Sequence, residues 1–288
     1  MATPFKTDGS IDFQALEALV DFQVGKGADF LCVLGTTAET PTLSAREQAE
    51  VMKSVRRVNA GRIPLLLGAG GNCTATVAQG LRERDLTGFD GVLIVCPFYN
   101  KPRQEGLYRH FKFVADHSPL PVVLYNVPGR TGVNLEAATT LRIAGECPNV
   151  VAIKEASGKI GQIEEIIEKA PDGFEVLSGD DAITFELLTI GAKGVISVVG
   201  NAYPGEFGKM VNCALAGDFT SALHLHRMFG KAFKLLSADG NPAGIKALLA
   251  IEGRAENVVR LPLVTARQET FDALAAFSAA FKKAATRA

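Results

Sequence analysis

Short apolar runs alternate with longer amphipathic stretches from the start of the chain as far as Pro204, and no other feature limits its possible folds as much. Aliphatic and β-branched runs fall at 29–34, 63–67, 91–95, 121–125, 150–154, 174–177 and 194–199. Between them, 44–58, 74–86, 104–117, 135–145, 159–169 and 181–190 carry apolar residues at helical spacing. The runs end near 33, 67, 95, 125, 154, 177 and 197, so successive ends lie 20 to 34 residues apart. One strand–helix unit takes roughly 30 residues. The runs are apolar throughout rather than alternating, as in parallel strands covered by helices on both faces.

This pattern predicts an α/β protein built as a (β/α)8 TIM barrel. Seven strands are visible. The eighth belongs before Asp8–Gly9, where only Met1–Phe5 is available, so the first strand is expected to be truncated. A doubly wound open sheet is the rival. The barrel is preferred because residues with chemical character fall just past the strand ends, where a barrel places its active site. After Pro204 the strand signal stops, and helices are expected at 219–236, 242–251 and 266–285. The predicted organisation is a barrel over 1–215 and a C-terminal helical extension over 216–288, packed on it without a linker.

The totals narrow the function. Of 288 residues, 30 are basic and 31 acidic, for a net charge of −1, so nucleic acid is not expected, and no long charge run argues for an interaction tail. The five cysteines, at 32, 73, 96, 147 and 213, form no Cys-x-x-Cys pair, which fits a reduced, cytoplasmic protein without disulfides. The N-terminus has no apolar signal core, and no run is long enough to span a bilayer.

Lys154 ends the run Val150-Val151-Ala152-Ile153-Lys154. An amine carried by an apolar strand to a barrel mouth can attack a carbonyl and form an imine. On position alone a solvated loop lysine is as good a reading. Tyr125 ends the preceding run, 29 residues earlier, so the two side chains are expected to be neighbours, with the phenol passing protons. The loop Gly35-Thr36-Thr37-Ala38-Glu39-Thr40 offers hydroxyls and backbone N–H groups to a carboxylate, although such loops are commonly plain caps. Arg130, in Pro128-Gly129-Arg130-Thr131-Gly132, could grip a carboxylate with two parallel hydrogen bonds. Tyr99, in Phe98-Tyr99-Asn100, reads first as packing or interface.

Other constellations fail. His224 and His226 are two residues apart on a helix and face different ways, while His110 and His117 lack nearby acidic or thiol partners. No metal is expected. Gly68-Ala69-Gly70-Gly71-Asn72 has neither the dinucleotide fingerprint nor a P-loop lysine, so no cofactor is expected either.

Taken together and in order, Gly35-Thr36-Thr37-Ala38-Glu39, Tyr125-Asn126-Val127-Pro128-Gly129-Arg130-Thr131 and Ile153-Lys154-Glu155-Ala156-Ser157-Gly158 resemble the dihydrodipicolinate synthase / N-acetylneuraminate lyase family over essentially the whole chain. The resemblance implies a Schiff-base lyase of the class I aldolase type. In its synthase branch, Lys154 would condense with pyruvate, and the enamine would attack aspartate semialdehyde in lysine and diaminopimelate biosynthesis. Tyr125 would relay protons through Thr37 or Thr36, which also hold the pyruvate carboxylate. Tyr99 resembles the family tyrosine that reaches into a neighbouring subunit, implying a homodimer or homotetramer. Arg130 would bind the semialdehyde carboxylate, and Gly179 and Ile196 match backbone positions lining the pocket. Neuraminate and keto-sugar-acid lyases share the Lys–Tyr pair but usually lack Gly-Arg-Thr at 129–131, so another pyruvate aldolase of the family is the alternative. A non-catalytic barrel would be expected to have lost the lysine or the relay, and a phosphate-binding barrel would not carry Asp180-Asp181 after its strand.

Three departures matter. Ala38 replaces the family's usual glycine and would be strained at positive φ. The first strand is short. At the positions where lysine-inhibited relatives carry a polar cluster, this chain has Ala45, Gln48 and Phe98, with Asn72 kept and Thr76 in place of an acid, so feedback inhibition by lysine is expected to be weak or absent.

Overall fold

Seven apolar runs become strands. A computed structural model describes residues 1–285. The strands are β1 (Leu31–Val33), β2 (Leu65–Gly68), β3 (Gly91–Val95), β4 (Val122–Asn126), β5 (Val150–Glu155), β6 (Glu175–Ser178) and β7 (Gly194–Val195), and their order is the chain order. The protein is thus an α/β fold with a parallel sheet and C-terminal helices. Two compact units divide it: residues 1–64 with 198–285, and Leu65–Ser197.

In the second unit β2 to β7 run parallel, each paired with the next. All five residues of β4 are buried. Helices α3 (Thr74–Glu83), α4 (Gln104–Asp116), α5 (Pro128–Thr131), α6 (Ala137–Glu146), α7 (Ile160–Lys169) and α8 (Thr184–Thr189) follow the strands in turn. Apolar stripes on these helices, such as Ile163 and Ile166 of α7 and Leu107 and Phe111 of α4, are fully buried. The expected strand 194–199 shrinks to two residues, because Val199–Asn201 turns as a 3-10 helix. The expected helix 181–190 likewise splits into a 3-10 turn at Asp181–Ile183 and α8.

The first unit holds α1 (Phe13–Gly25), α2 (Ala45–Asn59), β1, and four late helices: α9 (Pro204–Leu215), α10 (Phe219–Ala238), α11 (Ala243–Ile251) and α12 (Gln268–Ala285). Neither α1 nor α9 is foreseen by the pattern above. A full capping box starts α2: the Ser44 hydroxyl accepts from the Glu47 N–H, and the Glu47 carboxylate accepts from the Ser44 N–H. Pro204 sits at the start of α9, where its missing N–H costs nothing. Tyr203, Phe207, Phe229, Phe233, Phe277 and Phe281 form one aromatic cluster with ring centroids 4.7–6.3 Å apart. It joins α9, α10 and α12.

The N-terminal segment makes only an isolated antiparallel bridge, Phe5 to Ile11. It is nonetheless tied down at its first two residues. The Met1 amino group donates to the Cys32 carbonyl at 2.6 Å, and the Ala2 N–H to Oδ1 of Asn201 at 2.8 Å. Among the described residues no helix is long and apolar enough to cross a membrane. The last three residues of the expected 216–288 extension lie outside the described residues.

Candidate active site

Parallel pairing places Tyr125 opposite Lys154 and Asn126 opposite Glu155, one step further along β4 and β5. Side chains one strand–helix unit apart in the chain thus become lateral neighbours, and Nζ of Lys154 lies 4.2 Å from the centre of the Tyr125 ring. Both residues are buried, at 8% and 6% exposure. An amine this close to an aromatic face, held at the C-terminal end of a parallel strand, can meet a small carbonyl compound with a phenol alongside.

A buried polar network fixes this end of the two strands. The Asn126 amide donates to Oε1 of Glu155 at 2.7 Å, Gln162 donates to the same oxygen at 3.2 Å, and the Ser157 N–H donates to Oε2 at 3.1 Å. Oδ1 of Asn126 accepts the Leu135 N–H at 2.9 Å. Glu155 is fully buried, and burial pushes its carboxyl above the ordinary range against the pull of those donors. Neither Asn126 nor the role of Glu155 was drawn from the sequence. The signal was their place one residue past Tyr125 and Lys154.

Gly179 and Ile196 come to the same strand ends. The Gly179 N–H donates to the Glu155 carbonyl at 2.7 Å, and the Ile196 N–H to the Ser178 carbonyl at 2.9 Å. A β-carbon at Gly179 would lie 2.8 Å from Cβ of Ala156 and 3.0 Å from Cε of Lys154. Only glycine leaves the lysine its room.

Arg130 is exposed on α5, which Pro128 opens three residues past Tyr125 and Gly132 closes in the left-handed region. Tyr99 is 88% exposed, with φ of 74°, and Lys101 has φ of 47°. The Asn100 amide donates to the Asn72 carbonyl at 2.9 Å. A β-carbon on Gly132 would meet Cε of Lys101 at 3.0 Å, so the 99–101 loop packs against the turn that follows Arg130.

Thr36 and Thr37 belong to the first unit, in a 3-10 turn over Thr36–Ala38 that follows β1. The Asn241 amide donates to Oγ1 of Thr37 at 2.9 Å, a partner the sequence did not suggest. Ala38 is buried and lies outside the positive-φ residues, so the strain expected at the family's glycine position does not arise there. It falls instead on Leu34 and Glu39, with φ of 54° and 56°, where a residue with a β-carbon costs about 1–2 kcal/mol. Thr40 steadies the turn, its hydroxyl donating to the Leu34 carbonyl at 2.8 Å.

The histidines do other work. His110 bonds Oγ1 of Thr74 through Nδ1 at 2.8 Å, and burial lowers its pKa to about 4. Among the described residues no group of three or more His, Cys, Asp or Glu side chains could hold a metal ion.

Known proteins are similar to this chain over nearly its full length. The profile of the dihydrodipicolinate synthetase family matches residues 1–280. A 4-hydroxy-tetrahydrodipicolinate synthase of Phocaeicola vulgatus is 56% identical over 277 residues, covering 96% of this chain and 93% of that one. The crystal structure of dihydrodipicolinate synthase from Thermotoga maritima superposes with a TM-score of 0.95 at 39% identity, covering 98% of this chain and 96% of the other. The chloride-inhibited enzyme from Acinetobacter baumannii, solved in complex with pyruvate, gives 0.95 at 36% identity over 98% and 97%. With a profile match across nearly its full length and relatives at this identity, the chain belongs to the dihydrodipicolinate synthetase family.

Proposed function

We propose that this protein carries out the 4-hydroxy-tetrahydrodipicolinate synthase reaction, condensing pyruvate with L-aspartate 4-semialdehyde. The observation that carries the reading is the pair Tyr125–Lys154, in register on adjacent strands with the amine 4.2 Å from the ring centre. The neutral amine of Lys154 adds to C2 of pyruvate and water leaves, forming an imine. Loss of a proton from C3 gives the enamine, whose carbon attacks the aldehyde. The amino group of the semialdehyde then closes on the imine carbon and displaces the lysine. Tyr125 moves protons in these steps, through Thr37 or Thr36, which hold the pyruvate carboxylate. Arg130 takes the carboxylate of the semialdehyde, and its presence favours this aldehyde over the sugar-like substrates of the lyases in the family. Gly179 and Ile196 line the pocket with backbone.

Membership of the family supports the remaining assignments. The fold is a closed (β/α)8 barrel over 1–215, with the segment at Met1–Phe5 in the place of the first strand and the helices from 216 onward packed on it. The protein works in the cytoplasm as a homodimer or homotetramer, in which the exposed Tyr99 enters the partner's site. No cofactor takes part.

Borohydride trapping tests the reading. Incubation with pyruvate, reduction and peptide mapping should place one adduct on Lys154, and a panel of aldehydes should show aspartate semialdehyde consumed fastest. An adduct on another lysine overturns the site; preference for a sugar aldehyde overturns the substrate.

A further inference from the structure

Lys246 is the one charged residue of α11, AGIKALLAI, and it is 1% exposed. Its ammonium meets Oε1 of Glu39 at 2.5 Å, with both side chains out of water. It also donates to the Val258 carbonyl at 2.9 Å and lies 3.8 Å from the centre of the Phe5 ring. The second oxygen of Glu39 accepts the main-chain N–H of Arg260 at 2.9 Å. Glu39 is therefore gripped at both oxygens by the segment 246–260. Burial pulls the Lys246 ammonium down to about 8, against the opposing pull of Glu39.

Glu39 is also the joint of the threonine loop. It sits in the left-handed region at φ 56°. Its N–H donates to the Thr36 carbonyl at 3.2 Å, and its own carbonyl accepts the Thr42 N–H at 2.8 Å and the Thr42 hydroxyl at 2.9 Å. The 3-10 turn carrying Thr36 and Thr37 thus ends on this residue, and the next turn, Thr40–Thr42, begins after it. A backbone held in a costly conformation persists only where its surroundings determine it. Here the carboxylate clamp acts beside the bonds to Thr36 and Thr42.

We propose that Lys246 is a positioning residue for the substrate-binding turn, acting through the Glu39 carboxylate to hold Thr36 and Thr37 in the geometry that receives the carboxylate of the keto acid. The inference rests on the assignment of Thr36 and Thr37 made above. It adds a second functional lysine, which touches no substrate and forms no covalent bond. A buried ion pair is by itself weak ground for stability, and neutral residues of similar volume often replace both partners without loss. Position is what such a substitution would give up.

The experiment compares Glu39→Gln/Lys246→Met with Thr37→Val and the parent enzyme, measuring Tm, and kcat and KM for each substrate. In the double variant both charges are gone and the volumes are kept. KM for pyruvate should rise about tenfold with kcat within about threefold and the aldehyde KM unchanged, the pattern of lost ground-state binding. A merely structural pair would move Tm and the yield of active enzyme and leave KM for pyruvate at the parental value. That outcome, with Thr37→Val still raising KM, overturns the role of Lys246 and leaves the threonine assignment standing. If Thr37→Val itself leaves KM for pyruvate unchanged, the threonine assignment falls and this inference falls with it. Should the double variant not fold, Glu39→Gln alone decides. It keeps the shape and the bond from Lys246 to Val258, and an unchanged pyruvate KM in it overturns the proposal equally.

Discussion

Cε of Lys154 lies 3.0 Å from the point where a β-carbon on Gly179 would stand. Such a contact is far inside van der Waals range, and Cβ of Ala156 closes the other side at 2.8 Å. The lysine can avoid the added methyl only by swinging its amine away from the Tyr125 ring. Gly179→Ala is therefore expected to lower Tm, since Cβ of Ala156 and the Glu155 carbonyl, 3.1 Å away, can yield only with the backbone, and to lose about tenfold or more in kcat/KM for pyruvate, as misplaced reacting groups do. Steady-state kinetics alongside circular dichroism checks both halves. Parental kinetics in a correctly folded variant would show that the lysine does not need this space.

The Lys154–Tyr125 pair predicts two different losses. Lys154→Ala removes the amine, so borohydride should trap no pyruvate adduct and turnover should fall to background. Tyr125→Phe keeps the ring beside the amine and removes only the hydroxyl. Trapping should persist, more slowly, while kcat falls by about 10²–10⁴, the usual worth of a positioned proton-transfer group. Mass spectrometry of the reduced protein separates the two. An adduct in Lys154→Ala would move the chemistry to another residue.

How much of this was legible in the sequence differs from element to element. The runs 91–95, 121–125 and 150–154 emerge within a residue of β3, β4 and β5, because parallel strands buried on both faces leave an unbroken apolar signature. The neighbourhood of Tyr125 and Lys154 was legible for the same reason: one strand–helix unit separates them. Helix α9 was not, because Pro204-Gly205 reads as a break although proline fits the first turn. The strand expected over 194–199 overran, since its apolar residues pass into a 3-10 turn. Glu39 and Lys246 could not be paired by any local rule. A lone lysine inside an otherwise apolar helix signals a buried partner, but nothing in its own segment says which acid, far upstream, provides it.

Glu47 should make the first unit sensitive to acid. Arg260 is bonded to both of its oxygens, at 3.0 Å and 2.5 Å, and holds its carboxyl well below the usual range, at about 2 against 4.5. A carboxyl depressed in the folded state contributes stability above its unfolded pKa and loses it as pH falls through the folded value. The window here runs from about pH 4.5 down to about 2. Because both side chains are partly exposed, the contribution is screened. Arg260→Met should remove it, so that the variant's Tm deficit is full at pH 7 and shrinks steadily across that window. A deficit constant with pH would mean that Arg260 acts through its bonds to the Gly9 and Thr42 carbonyls and its place over the Phe5 ring, 4.4 Å from the ring centre, rather than through the carboxylate.

Feedback by lysine, finally, should be weak or absent. A cationic amino acid at an interface needs acceptors for its two ammonium groups, and in lysine-inhibited relatives a cluster of polar side chains supplies them. Here Ala45 has nothing to offer and Phe98 lacks a hydroxyl. The Gln48 amide is already engaged in its own loop, donating to the Leu43 carbonyl at 3.1 Å and the Thr40 carbonyl at 3.4 Å. Thr76 begins no acidic site, and it lies in the first turn of α3, where the helix favours anions rather than an ammonium. Asn72 keeps the residue of those relatives, and its main-chain carbonyl accepts from the Asn100 amide. A dose–response of initial rate against L-lysine at fixed pyruvate should stay flat through the micromolar range. Half-inhibition at micromolar lysine would mean that other side chains have taken over the binding, and isothermal titration would then locate the affinity that these substitutions should have removed.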